Sequence, residues 1–253
     1  MRPNISNVHS LPGTLLIFDG PDGAGKTTQI RVLTKLLRKL GKKVTVSEWK
    51  SEVIGQFLHG NDSLKKADER ILPETNLFLQ TADFLYRLER EVIPALKKNH
   101  IVILDRGLHT LLVRGIMIGM HEESQLERGL FWWRNTIYKE LFDHAYKVYV
   151  TISLNESLKR LGKRAESLKI KKNHTEGTIL TLSFINTLVY APDGKKLTRH
   201  DKQMYVKRTQ ARIIDTYAHV FRDLDENTIV LDGECDTKTM RKNLEEKIID
   251  ILL

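Results

Sequence analysis

The residues most able to carry chemistry form a glycine-rich segment near the start of the chain, FDGPDGAGKTTQ at positions 18–29. Gly20 to Thr27 fits the spacing G-x-x-x-x-G-K-[ST], in which backbone N–H groups surround the oxygens of a phosphate. In this pattern Lys26 reaches the outer phosphates of a nucleoside triphosphate, and the Thr27 hydroxyl ligates Mg²⁺. The segment therefore predicts a phosphate-binding loop.

The flanking residues bear on this prediction, because such a loop follows a strand and opens a helix. Residues 15–18, LLIF, form a short apolar run typical of a buried strand. After the loop, apolar residues recur at helical spacing from Ile30 to Leu40, and Gly41 ends the pattern. A glycine-rich turn without a ligand is the alternative, and the strand–loop–helix context disfavours it.

A second candidate site is Asp105-Arg106, at the end of the apolar run 100–104. Ligands of open parallel sheets bind beyond the carboxyl ends of the strands, so this pair is expected to face the same crevice as the phosphate loop. An aspartate there can hold Mg²⁺-bound water or orient an acceptor hydroxyl, and the arginine can bind an acceptor phosphate bidentately. The alternative is an ion pair on the surface.

The positive charge of the chain is concentrated in one segment. Residues 156–212 contain 14 Lys and Arg against 5 Asp and Glu, which accounts for the whole net charge of +9, and the other residues contain 27 of each sign. Arg160, Lys163 and Arg164 share a helix face and would suit a lid that delivers charge to a transferring phosphoryl group. The alternatives are a solvated basic face and a surface for an extended anion such as a nucleic acid.

Short apolar runs alternate with helical patterns, which predicts an α/β fold with a five-stranded parallel sheet between helices. Besides 15–18, strands are predicted at residues 43–47, 100–104, 147–153 and 228–231, and helices at 52–59, 73–98, 125–141, 156–163, 201–221 and 236–252. Residues 165–200 are basic and irregular, and we interpret them as a hairpin or small subdomain. The expected organisation is an N-terminal extension, 1–12, and one domain, 13–253, with a lid or insert at about 156–200.

Composition excludes several other classes. No run approaches the roughly 18 apolar residues of a membrane span, and residues 1–11 lack the apolar core of a signal peptide, so a cytoplasmic protein is expected. The single cysteine, Cys235, excludes an internal disulfide and a cysteine-rich metal site.

The phosphate loop and three further segments together resemble the thymidylate kinases. FDGPDGAGKTTQ resembles the start of that family and VILDRG, 102–107, its Asp-Arg motif, while ADFLYRLEREVIPAL, 82–96, and QARIIDTYAHV, 210–220, resemble two of its helices. The resemblance covers roughly residues 13–163 and 198–252. It implies a P-loop kinase fold with a lid, ATP and Mg²⁺ as cofactors, and a nucleoside monophosphate as acceptor; it also allows a homodimer through residues 75–98.

The resemblance implies a role for each matching residue. ATP binding is expected from Gly20, Asp22, Gly23, Ala24, Gly25, Lys26, Thr27 and Thr28. Catalysis is expected from Lys26, Asp105, Arg106, Arg160 and Arg164, and magnesium binding from Thr27, Asp22 and Asp105. The segment 232–235 falls where the family holds adenine.

The sequence departs from the family on the acceptor side. The usual Arg-Glu-Pro after the second strand is replaced within Ser47-Glu48-Trp49-Lys50, and Ala-Asp-Arg becomes Ala82-Asp83-Phe84, with Arg87 one turn later. An aromatic residue is replaced by Gly107, and a Tyr-Gln pair by Arg114-Gly115.

Three hypotheses follow from these departures. The first is an ATP- and Mg²⁺-dependent kinase for a nucleotide-like acceptor, with a rebuilt acceptor site. The second is a kinase for a nucleoside, another phosphorylated metabolite or a nucleic-acid end. The third is a nucleotide-binding regulator whose basic segment contacts a partner.

Overall fold

A computed structural model of the chain describes residues 11–49, 51, 73–118, 139–170, 198–222 and 226–252. The predicted helix 52–59, most of the predicted helix 125–141, and the insert from residue 171 to 197 lie outside these ranges. Five parallel strands form one sheet in the order β2-β3-β1-β4-β5, which confirms the predicted α/β fold. The strands are β1 Thr14–Asp19, β2 Val44–Ser47, β3 Ile101–Asp105, β4 Tyr146–Thr151 and β5 Thr228–Asp232.

Helices cover both faces of the sheet. They are α1 Lys26–Lys39, α2 Pro73–Lys97 with a π-helical turn at Leu88–Val92, α3 Leu108–Ile118, α4 Lys139–Asp143, α5 Leu154–Ile170, α6 Arg199–Val220, and α7 Thr237–Leu252 with a π-helical turn at Glu245–Ile249. Because α5 continues to Ile170, residues 165–170 extend the preceding helix and are not part of an irregular insert. A capping box between Thr198 and Asp201 begins α6.

The strands separate two apolar layers. Leu15 and Ile17 point to the side packed by α2 and α3, and Leu16 and Phe18 to the side packed by α1 and α7. Both faces of β1 are therefore buried, which is why its sequence is continuously apolar and does not alternate. In this geometry the carboxyl ends of β1 and β3 lie side by side, with Phe18 opposite Asp105.

Helix α3 was not predicted. Its sequence, LHTLLVRGIMI, lacks the regular polar stripe that marks a surface helix. Leu111, Leu112 and Val113 are buried, and the helix packs between α2 and α6. This buried helix carries side chains that contribute to the site described below. Among the described residues, none of the helices has the length and apolarity that crossing a membrane requires.

Candidate active site

The phosphate loop joins β1 to α1 in a conformation that its glycines permit. Gly25 immediately precedes the helix and has a φ of 91°, in the left-handed region that side chains disfavour. At Gly20, a β-carbon would lie 2.4 Å from the carbonyl oxygen of Val150 on β4. The loop therefore needs glycine at Gly25 for its backbone angle and at Gly20 for its close approach to the neighbouring strand.

Lys26 points back into the loop from the first turn of α1. Its Nζ donates hydrogen bonds of 2.7 Å to the carbonyl oxygens of Gly20 and Pro21. Burial, reinforced by the charge of Arg106, lowers the pKa of Lys26 to about 7 in spite of Asp22 and Asp105, which act in the opposite direction. In the described contacts the ammonium group donates hydrogen bonds to carbonyl oxygens alone, which stabilise its positive charge poorly. An anion bound in the loop would stabilise the charged form.

The hydroxyl-bearing residues of the loop face the cleft. Thr27 and Thr28 are exposed and line it together with Gly23 and Gly25, while Ala24 is fully buried beneath them. The carbonyl of Asp22 is held in place by two side chains from α5 and α6. It accepts hydrogen bonds from Ser157 Oγ on α5, at 2.8 Å, and from Gln210 Nε2 on α6, at 3.2 Å, so both flanking helices brace the loop.

Arg106 forms an ion pair with the Asp22 carboxylate across the crevice. The backbone of Arg106 has a φ of 65°, and its N–H donates to the Phe18 carbonyl, which turns the chain sharply at the end of β3. Burial would raise the pKa of Asp22, but Arg106 and Lys26 outweigh it and hold the pKa well below its usual range. Burial would likewise lower the pKa of Arg106, and Asp22 reverses that shift. Both groups are therefore charged at neutral pH.

Asp105, the last residue of β3, interacts electrostatically with both Arg106 and Lys26. One of its carboxylate oxygens, Oδ1, is buried and has no hydrogen-bond partner among the described residues. A buried carboxylate oxygen without a partner lowers the stability of the folded chain unless a proton donor or a cation reaches it. Asp105 thus retains an unsatisfied acceptor on the wall of the cleft.

Asp19, the last residue of β1, organises the loop that follows β3. Its buried carboxylate accepts hydrogen bonds from the Gly107 N–H at 3.1 Å and from Thr110 Oγ1. When His109 carries a proton on Nδ1, that nitrogen also donates to the carboxylate, at 3.1 Å. Thr110 also hydrogen-bonds the Tyr217 hydroxyl of α6, at 2.7 Å. Sequence reasoning missed this network because its members come from three separate segments. The only local signal was a charged residue, Asp19, ending an apolar strand.

Close packing against β1 requires a glycine at position 107. A β-carbon on Gly107 would lie 2.5 Å from Ile17 Cγ2, inside van der Waals contact. The loop after Arg106 therefore runs directly against β1, and a larger residue there would displace it.

Three arginines lie around the ring of Trp49, which follows β2 by two residues. The guanidinium carbons of Arg114, Arg87 and Arg106 lie 4.8, 5.6 and 5.7 Å from its ring centre, within cation–π range. Arg114 of α3 also donates a hydrogen bond to Gln80 of α2. Burial and the nearby charge of Arg106 lower the pKa of Arg114 to about 10, so it stays protonated at neutral pH.

The residue that replaces the family arginine, Phe84, is a core residue. It is fully buried and stacks on Phe142 with ring centres 5.9 Å apart. Arg87 is also fully buried, because it pairs with Asp83 at 3.3 Å and donates to the Glu48 carbonyl at 2.8 Å. Arg87 therefore contacts Trp49 from the buried interior, while Arg106 and Arg114 are partly exposed.

The basic face of α5 approaches the phosphate loop. Arg160 and Arg164 both line the cleft, and Arg160 reaches the carbonyls of Gly23 and Gly233. The cleft has a volume of about 440 Å³ and is bordered on its far side by Gly233 and Cys235 after β5. Asp22, Lys26, Thr27, Asp105 and Arg106, named from the sequence, also line it. Most of the predicted donor residues thus lie on one cavity with Asp105 and Arg106, whereas Gly20 and Ala24 are not among its lining residues.

A parallel five-stranded sheet with a phosphate loop after its first strand defines a P-loop kinase fold. Residues 18–183 match the family model described as Thymidylate kinase. The chain is 23% identical over 236 residues, 92% of its length and 94% of the relative's, to a probable thymidylate kinase 2 from Saccharolobus solfataricus. It is 27% identical over 206 residues to a thymidylate kinase from Thermoanaerobacter sp., covering 77% of this chain and 96% of that one. The chain belongs to the thymidylate kinase family and is a phosphotransferase of the nucleotide kinase class.

Proposed function

We propose that this protein transfers the γ-phosphoryl group of ATP to a nucleoside monophosphate-like acceptor whose site differs from that of dTMP-specific relatives. The observation that carries the proposal is the shared cleft. It places the phosphate-loop lysine, Lys26, next to an acidic and a basic residue, Asp105 and Arg106, at the end of the adjacent strand. A donor phosphate in the loop and an anionic acceptor at Arg106 would then meet between the two strands.

The residues present fit a magnesium–nucleotide donor. The orphaned oxygen of Asp105 and the cleft-facing Thr27 supply oxygen ligands of the type Mg²⁺ prefers, next to the glycine-rich loop that lines the same cleft. Among the described residues no cluster of three or more His, Cys, Asp or Glu could hold a metal alone, which agrees with a Mg²⁺ held mainly by substrate phosphates. Asp22 would join the metal's surroundings through water. Bound magnesium would neutralise charge on the donor phosphates.

Catalysis then consists of positioning and charge stabilisation. The bond between the γ-phosphorus and the bridging oxygen breaks, that oxygen stays on ADP, and a new bond forms to an oxygen of the acceptor phosphate. Lys26 would hold the outer donor phosphates, and Arg106 would orient the acceptor phosphate for in-line attack. Arg160 and Arg164 stand on the wall nearest the donor, where a cationic lid is expected.

The acceptor side suggests an anionic, planar substrate. Trp49 offers an aromatic surface, and Arg106 and Arg114 stand beside it with Asp22 as the only carboxylate paired with them in a described contact. Arg114 is hydrogen-bonded to the neutral Gln80 and shares the field of Asp22 with Arg106, so an acceptor phosphate would add a second anion to the two arginines. Arg114 would thereby supply the acceptor-side charge that the family places at the position of Phe84.

The test is ADP release from Mg-ATP with a panel of acceptors: purine and pyrimidine monophosphates, the corresponding nucleosides, and a 5′-phosphorylated oligonucleotide. We expect a monophosphate other than dTMP to give the highest kcat/KM, with Asp105→Asn as the inactive control. Preference for a nucleoside or the oligonucleotide would favour the second class of kinase. ADP release that no acceptor stimulates would overturn the proposal in favour of a regulator.

A further inference from the structure

Arg160 is bonded to the backbone of two loops at once. Its Nη1 donates to the carbonyl of Gly23 in the phosphate loop, at 3.1 Å, and to the carbonyl of Gly233 after β5, at 2.8 Å. Its Nε donates to Glu156 one turn earlier on α5, at 2.9 Å, which fixes the direction of the side chain. The guanidinium thus ties together two loops that lie far apart in sequence.

The two loops touch without any side chain between them. A β-carbon on Gly233 would lie 2.2 Å from the Ala24 carbonyl oxygen and 2.5 Å from that of Thr151, so only glycine permits this approach. The Gly233 N–H donates to the Thr151 carbonyl at 2.9 Å, which extends the β4–β5 pairing by one residue. The loop after β5 therefore sits directly on the outer side of the phosphate loop.

The residues after β5 form another part of the cleft wall. Gly233, Cys235, Asp236, Thr237 and Met240 line it, and Cys235 and Met240 provide apolar surface there. On the proposed function, the triphosphate occupies the phosphate loop and the base of the donor extends towards these residues. The relative position of the two loops then sets the distance between the base and the phosphates.

We propose that Arg160 is a positioning residue that holds the loop 232–235 against the phosphate loop and so aligns the base pocket of the donor with its phosphate pocket. The inference rests on the proposed function and assigns Arg160 a different role from that of a lid arginine. Two of its nitrogens are engaged by Glu156 and by backbone carbonyls, which accept hydrogen bonds as a phosphate would.

Two donor-site ligands separate the two roles, because one has a base and the other does not. The affinities of ADP and of inorganic tripolyphosphate are measured by calorimetry for the full chain and for Arg160→Ala. If Arg160 aligns the base pocket, ADP affinity falls about tenfold, as for one lost charged hydrogen bond, and tripolyphosphate affinity stays within about twofold. Lys159→Ala is the matched control, since Lys159 pairs with the same Glu156 but is largely exposed. It should change neither affinity.

Graded variants keep the inference testable should Arg160→Ala fail to fold, as judged by its melting temperature. Arg160→Lys retains the charge but cannot bond Glu156 and both carbonyls together, so it should show a smaller ADP-selective loss. Equal weakening of both ligands would overturn the inference and restore Arg160 as a phosphate contact. No change in either would overturn it as well. If the unmutated chain binds neither ligand, the proposed kinase function fails first, and this outcome is distinct from the others.

Discussion

The donor and acceptor sides of the cleft are built in different ways. The part of the donor side that would bind phosphate is eight consecutive residues, Gly20 to Thr27, held by α5 and α6 through Ser157 and Gln210. The acceptor side draws one side chain each from several elements. Its members are Asp22 of the loop, Trp49 after β2, Gln80 of α2, Arg106 after β3 and Arg114 of α3.

The difference shows where the molecule can change its chemistry. A continuous loop fixes its own geometry, because its backbone makes most of the contacts to phosphate. A site assembled from separated side chains can exchange one arginine for another as long as the charge arrives at the same place. Here Phe84 has become a core residue and Arg114 stands by Trp49, while the donor loop keeps the full pattern.

The largest effect is expected at the donor side. Lys26→Ala should abolish turnover, at least a hundredfold in kcat, because losing a preorganised charge at the transferring group costs about 3–4 kcal/mol. Steady-state ADP release measures it, with Lys35→Ala, an exposed lysine on the same helix, as control. Turnover like that of the unmutated chain would remove the basis for a functional phosphate loop.

Arg106→Ala should distinguish the acceptor side of the cleft from the donor side most clearly. We expect the kcat/KM for the best acceptor to fall about ten- to a hundredfold, since a charged hydrogen bond is worth roughly 1.5–3 kcal/mol, with ATP affinity nearly unchanged. Arg241→Ala controls for loss of charge, because Arg241 is an exposed residue of α7 that is not among the lining residues of the cleft. A loss confined to ATP affinity would show that the division into donor and acceptor sides is wrong.

Arg114→Gln tests the proposal that the acceptor side is rebuilt around Arg114. The expected loss is about tenfold in acceptor KM with ATP affinity unchanged, because Arg114 contributes charge beside Arg106 without being the main contact. Arg114→Lys should recover part of the loss, since it keeps the charge and loses the planar geometry. An unchanged KM in both variants would limit Arg114 to packing against Trp49.

The smallest effect concerns the pH dependence of donor binding. With its pKa near 7, Lys26 is mostly neutral at pH 8 in the free protein, and a bound polyphosphate favours the ammonium form. Donor binding should therefore take up close to one proton at pH 8 and almost none at pH 6, and affinity should decline as pH rises above 7. Calorimetry in two buffers with different ionisation heats measures the uptake. Binding at pH 8 without proton uptake would contradict the low pKa of Lys26.

The sequence predicted the fold and the donor loop well and the acceptor side incompletely. The strands were found because residues buried on both faces are continuously apolar. Helix α3 was missed for a related reason, since a helix buried between α2 and α6 shows little amphipathic pattern. Asp19, Thr110 and Tyr217 are bonded across three segments, and no local spacing could indicate them.

By itself the sequence determined the features that depend on neighbouring residues: the phosphate loop, the alternation of strands and helices, and the placement of Asp105-Arg106 at a strand end. Only the tertiary structure decided which distant side chains meet, because those contacts depend on strand order and helix packing. It placed Trp49 among Arg87, Arg106 and Arg114, and it set Arg160 between Gly23 and Gly233. Backbone geometry is encoded locally, whereas a site that assembles side chains across the sheet exists only once the chain has folded.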